Sequence, residues 1–129
     1  MEKAYILGGI RSDIGIENGK YCNIPAEKLG AAVFKQLLEK YSIEPEKIDL
    51  VIAGNAVGAG GNLTRLMLLE SEIGKDIPAV TVDVQCGSGL ESIALAAAKI
   101  RSGQADVVIA GGFESSSTAP RRSYHPNHP

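Results

Sequence analysis

Four short apolar runs punctuate the chain: AYIL at 4–7, LVIAG at 50–54, AVTVDV at 79–84 and VVIAGG at 107–112. Most are continuous rather than alternating, the pattern of strands covered on both faces, as in a parallel sheet. Between them the period changes. From Ala26 the apolar or small positions are Ala26, Leu29, Gly30, Val33, Phe34, Leu37, Leu38 and Tyr41, with Lys28, Lys35, Glu39 and Lys40 off the stripe. That i, i+3, i+4, i+7 spacing predicts an amphipathic helix, and Pro25 suits its first turn. A second helix is expected over 63–73, with Asn62 as cap and Gly74 as stop. A third is expected from about 87 to 102, stopped by Gly103; Leu90, Ile93, Ala94, Ala97 and Ile100 fall on one stripe while Leu95, Ala96 and Ala98 fill other faces. A helix apolar on nearly every side predicts burial within a larger body.

The expected order is strand–helix–strand–helix–strand–helix–strand, a βαβαβαβ arrangement in an α/β layered fold with right-handed crossovers. VIAGN (51–55) and VIAGG (108–112) look alike and read as two strand ends followed by glycine turns, with a true internal repeat as the alternative. Residues 1–120 are expected to form one unit, and 121–129, rich in Pro, Arg and His, to begin a loop or linker in which the chain breaks off.

Bulk composition narrows the functions. A length of 129 residues allows one modest domain with a real core. Thirteen Lys and Arg against 15 Asp and Glu leave no basic excess, and 5% aromatics with no Trp supply no base-stacking surface, so no nucleic acid partner is expected. No apolar run approaches the ~20 residues of a membrane span. The opening MEKAYILGGIRSD has too short an apolar core for a secretory signal. Cys22 and Cys86 lack metal-ligand spacing and make no disulfide framework, so neither a metal nor an oxidising compartment is expected, and the cytoplasm is the default location.

Several motifs fail on inspection. GNAVGAGGN (54–62) begins a dinucleotide loop at Gly58 and Gly60, but position 63 is Leu; no Gly-Lys-Ser/Thr follows either Gly-Lys pair. His125 and His128 stand on a Pro-rich tail without Cys or carboxylate partners. Cys22 lies in a polar loop, ENGKYCN. Cys86 differs. In VDVQCGSGLES (82–92) a strand delivers it to the C-terminal edge of a sheet, where α/β proteins bind ligands. The next helix points its N-terminus back at it, which favours a thiolate by ~0.3–1 kcal/mol. Gly87 and Gly89 leave the backbone bare, so that a substrate can approach and N–H groups can face a developing oxyanion. The alternative is a buried Cys used as a small apolar residue.

Residues 79–120 resemble the nucleophile region of thiolases, the acetyl-CoA C-acyltransferases. Cys-Gly-Ser-Gly at 86–89 is similar to the family's nucleophile turn, and Gly111-Gly112-Phe113-Glu114-Ser115 to its Gly-Gly-Met-Glu-Ser stretch. RSDIG (11–15) and VIAGNAVGAGGN (51–62) resemble upstream family segments, so the likeness spans nearly the whole chain. It departs from the family at Asp83, where Asn is usual, at Phe113, and at Ser12-Asp13 in place of Thr-Pro. The resemblance implies the first portion of a thiolase fold and a two-step reaction. Cys86 takes an acyl group from a CoA thioester, and the enolate of a second acyl-CoA attacks it in a Claisen condensation; in reverse, a 3-oxoacyl-CoA is cleaved by thiolysis. It further implies acyl-CoA and CoA as substrates with no other cofactor, a role in fatty acid metabolism, and a homodimer or homotetramer pairing near 79–84. The family's second Cys and activating His belong to later segments that these residues do not contain, so the 129-residue chain alone is expected to be inactive. A ketosynthase or 3-hydroxy-3-methylglutaryl-CoA-synthase-like enzyme, or a non-catalytic subunit of the same fold, are the alternatives.

Overall fold

The computed structural model describes residues 3–128. Three helices and three strands carry the architecture: α1 (Ala26–Tyr41), β1 (Leu50–Gly54), α2 (Leu63–Ser71), β2 (Ala79–Val82), α3 (Ser88–Arg101) and β3 (Val108–Gly112), with short 3-10 turns at Pro45–Lys47 and Ser116–Thr118. The strands form one parallel sheet in the order β2-β1-β3. All three therefore end at the same edge, and Gly54 is level with Val82 on one side and Gly112 on the other.

The expected helices and the parallel sheet are present, with informative differences at their ends. Asn62 caps α2 as expected, its Oδ1 accepting from Arg65 N at 3.2 Å. Gly103, at φ +70°, follows α3 in the left-handed position that commonly ends a helix. Gly74 does not stop α2; the helix ends with Glu72 left-handed at φ 63°. Gly74 is instead a packing residue, since a Cβ there would lie 2.8 Å from a methyl group of Leu68. Pro25 stands just outside α1 as its cap residue.

The first expected strand is absent, so the βαβαβαβ order is corrected to three strands among the described residues. AYIL at 4–7 forms no ladder, and Tyr5, Ile6 and Leu7 are exposed. A continuous apolar run becomes a strand only where a neighbour accepts its backbone hydrogen bonds. Here residues 8–12 and β3 line a common cavity of about 340 Å³ instead of pairing. This segment is tied down at Gly9, whose N–H donates to the Tyr41 hydroxyl and whose carbonyl accepts from it, both at 3.1 Å.

The main core lies between the α1/α2 pair and one face of the sheet, where Ala31, Phe34, Leu38, Val51, Met67 and Leu68 interlock. Gly30 lets α1 close on α2, since a Cβ there would sit 2.7 Å from Met67 Sδ. Strand alternation turns Ile52, also buried, to the opposite face, which α3 covers. The expectation of strands buried on both faces holds for β1 alone; β2 and β3 are the sheet's edges and are half-buried. Nor do the large side chains of α3 form its sheet-facing side. Its buried residues are Ser88, Ser92 and Ala96, small enough for the helix to lie close, with Ser92 Oγ donating to Gly111 O at 2.7 Å. Leu90, Ile93 and Leu95 are left exposed, Leu90 to 75%.

Two expectations follow from this packing. Each large apolar side chain left in water forgoes ~1.5–3 kcal/mol of burial, against a net stability of ~5–15 kcal/mol for a whole domain. Expressed by itself, the 1–129 segment is expected to self-associate or to unfold without a sharp transition; a monomeric size-exclusion peak with a cooperative melt would contradict this. The second concerns Asp49, whose Oδ2 accepts from Asp106 N at 2.7 Å and Val107 N at 2.9 Å and so clamps the entrance of β3 to β1. The Val107 and then the Asp106 N–H hold its carboxyl below the ordinary 3.8. A depressed folded-state pKa adds stability above 3.8 that is lost as pH falls through the folded value. Asp49→Ala in the complete gene product should lower the melting temperature at pH 7, and the gap from wild type should narrow in melts below that range.

Candidate active site

Cys86 occupies the turn between β2 and α3, at the C-terminal edge of the sheet, and is exposed and free. Two polar side chains build the turn. Asp83 Oδ1 accepts from Gln85 N at 2.9 Å. Ser88, the first residue of α3 and only 5% exposed, donates from Oγ to Gln85 O at 2.6 Å and accepts from Val84 N at 2.9 Å. Between these contacts Gln85 has φ 60°, a left-handed conformation that residues with a side chain adopt at a cost. Gly87 is the cap residue of α3 and has no side chain with which to cap it. Ser88 N bonds Gln85 O and Glu91 N bonds Gly87 O, so in the first turn the N–H groups of Gly89 and Leu90 are the ones left without intrahelical acceptors beside Cys86.

The turn rests on glycine backbone. A Cβ on Gly54 would lie 2.6 Å from the Ser88 carbonyl carbon and 2.8 Å from Gly89 N. No real Cβ tolerates that distance from backbone, so β1 must end in glycine for α3 to start where it does. Gly112 is the milder case, with Gly89 Cα 3.4 Å from its would-be Cβ. Around the two glycines singled out from the sequence there is room. A Cβ at Gly87 would make ordinary contact with Val84 at 3.6 Å, and one at Gly89 would meet nothing within 4 Å. The helix start therefore does not crowd Gly89.

A second loop shares this edge. Residues 55–62 leave β1 directly after Gly54 and are held by Glu114, just beyond β3. Its carboxylate accepts from the N–H groups of Ala56 and Val57 and from Asn55 Nδ2. Asn55, buried, also donates to Phe113 O at 2.7 Å and accepts from Gly58 N at 3.1 Å. Arg122 Nη2 closes the loop from the C-terminal segment, donating to Ala56 O at 3.0 Å. Gly60 and Gly61 take φ +86° and +72° on the way to α2. The glycine-rich stretch is thus a braced loop, and no dinucleotide fingerprint is formed.

Cys86, Gly87 and Gly89 share one turn, as expected from the sequence; Gly54 and Ser88, which set that turn, and Asn55 and Glu114, which brace the neighbouring loop, were not singled out from it. Glu114 had a signal, its place in Gly-Gly-Phe-Glu-Ser after a strand. Ser88 had one in the two glycines that flank it. Cys22 is half-buried in its own turn, its N–H bonding Gly19 O.

The model of the thiolase N-terminal domain matches residues 4–128. A Staphylococcus aureus protein, VraB, provisionally named an acetyl-CoA C-acetyltransferase, is 42% identical over 127 residues, which cover 98% of this chain and 34% of VraB. An acetyl-CoA acetyltransferase of Chromobacterium violaceum is 44% identical over 117 residues, covering 89% of this chain and 30% of the relative. The crystal structure of Bacillus anthracis acetyl-CoA acetyltransferase superposes with a TM-score of 0.81 at 28% identity, over 88% of this chain and 29% of that one. The chain spans about a third of the length of these curated relatives. With its whole sheet and the Cys86 turn inside the matched region, the chain belongs to the thiolase family, as its N-terminal domain.

Proposed function

We propose that these residues carry the nucleophile of an acyl-CoA acyltransferase, and that Cys86 is the residue acylated. The observation that carries the reading is the exposed Cys86 thiol at a strand-to-helix turn, beside helix N–H groups and two glycines, Gly87 uncrowded and Gly89 with open space around it. The thiolate attacks the carbonyl carbon of an acyl-CoA, the tetrahedral oxyanion collapses, and CoA leaves with the C–S electron pair, giving acyl-Cys86 and CoA. In the second step the enolate carbon of another acyl-CoA attacks the Cys86 thioester. The Cys86–acyl bond breaks, the thiolate is regenerated and a 3-oxoacyl-CoA forms. Thiolysis is the same path reversed. Forming the enolate needs a base, and neither an acid/base Cys nor an activating His of the family pattern is present in 1–129; both are assigned to residues outside this region. Fatty acid metabolism is the process in which such a reaction belongs.

CoA thioesters are the substrates, and Gly87 and Gly89 let them approach the backbone. The sheet also supports a homo-oligomer. Among the described residues β2 is hydrogen-bonded to β1 on one side only, and Val80 on it is 44% exposed, so pairing of β2 edges would give a homodimer, and two such dimers a homotetramer. No helix among the described residues is long and apolar enough to cross a membrane, and the two free cysteines suit the cytoplasm.

Incubating the complete gene product with a short acyl-CoA and mapping the thioester by peptide mass spectrometry should place the acyl group on Cys86, and Cys86→Ser should lose most turnover. Label on Cys22 with none on Cys86 would overturn the assignment. Gly89→Val tests the approach of substrate separately. Because the chain leaves space there, the variant should melt near wild type while its acylation slows by about tenfold or more; normal turnover would show that nothing comes close to Gly89.

A further inference from the structure

Ser88 is buried and polar, yet it takes no part in the acyl transfer just described. Its hydroxyl is fully used within the turn, donating to Gln85 O at 2.6 Å and accepting from Val84 N at 2.9 Å. Its own N–H bonds the same Gln85 carbonyl at 3.1 Å. Three hydrogen bonds from one residue therefore bracket Gln85, whose left-handed φ of 60° a glutamine would not hold unaided. Cys86 is the next residue, so the direction of its Cα–Cβ bond depends on Gln85 staying in that conformation. From below, Ser88 is fixed by the end of β1, with its carbonyl carbon 2.6 Å from where a Gly54 Cβ would stand.

We infer that Ser88 is a positioning residue for Cys86: it braces the left-handed turn at Gln85 and so aims the thiol at the acyl carbonyl. The inference deepens the acyltransferase reading and rests on it for the identity of the electrophile. Aim matters because a misplacement of about 1 Å at a reacting atom can cost about a hundredfold in rate. Ser88 touches no substrate in this account, and its removal should therefore act on kcat and leave KM nearly alone.

The test uses the complete gene product and two readouts, single-turnover acylation of Cys86 by acetyl-CoA and hydrogen exchange of the Val84 amide. Ser88→Ala should speed exchange at Val84, slow acylation by about tenfold or more, and leave KM for the acyl-CoA within about twofold. Adding Gln85→Gly should bring acylation back to within about threefold of wild type, because glycine holds a left-handed turn without a brace. Gln85→Val, which leaves Ser88 intact and disfavours positive φ, should slow acylation on its own, and it carries the test if Ser88→Ala does not fold. Normal acylation in Ser88→Ala or in Gln85→Val, or a Ser88→Ala defect that Gln85→Gly leaves unrelieved, overturns the positioning role. Unchanged exchange at Val84 in a folded Ser88→Ala protein overturns the brace itself. A wild-type Cys86 that takes no acyl group defeats the acyltransferase reading instead, and the exchange result then decides the brace alone.

Discussion

The approach of α3 to the end of β1 is the contact on which the rest of this structure depends. Backbone meets backbone there, with Gly54 facing Ser88 and Gly89, and no side chain could be inserted. Everything around it is chosen for closeness: α3 presents Ser88, Ser92 and Ala96 to the sheet, and β3 answers with Gly111 and Gly112. The reward is rigidity rather than apolar area. Short polar side chains satisfy the backbone groups that a tight fit buries, as Ser92 does for Gly111.

That choice separates the two faces of α3 by job. The small face fixes the helix and the Cys86 turn; the large apolar side chains, Leu90, Ile93 and Leu95, point away. On the other side of the sheet the division is conventional, with Phe34, Leu38, Met67 and Leu68 supplying bulk against Val51. The Cys86 turn sits above the thin, closely fitted side. Glu114 extends the same logic to the neighbouring loop, using one carboxylate to satisfy consecutive N–H groups that no strand reaches.

What the sequence disclosed follows from where the determining contacts lie. The α1 stripe, the Asn62 cap and the Gly103 stop are local signals, written within a turn or two of the residues they govern, and they were readable. The Cys86 turn was readable because the residues flanking it are its geometry. AYIL misled because a strand is a property of two segments, and the run at 4–7 has no partner beside it. The faces of α3 are misleading in sequence because closeness of fit, carried by Ser88, Ser92 and Ala96, outranks apolar size there. The left-handed Gln85 had no local mark, since glutamine is not a turn residue; its conformation comes from Asp83 and Ser88. The Glu114 clasp joins residues more than fifty positions apart, and only the folded sheet brings them together.

The strand order β2-β1-β3 also sets an order of assembly. The first strand made is the middle one, and each later strand arrives after a helical crossover to add to an edge already in place. Among the described strands the sheet can therefore grow outward without one having to thread between two others, which keeps loop-closure costs modest. Cys86 acquires its surroundings in the same sequence. Gly54 is waiting when the turn is synthesised, and Glu114, the last of the braces on β1's loop apart from Arg122, arrives only with the end of β3. A chain halted before β3 would carry the Cys86 turn with the clasp still open beside it.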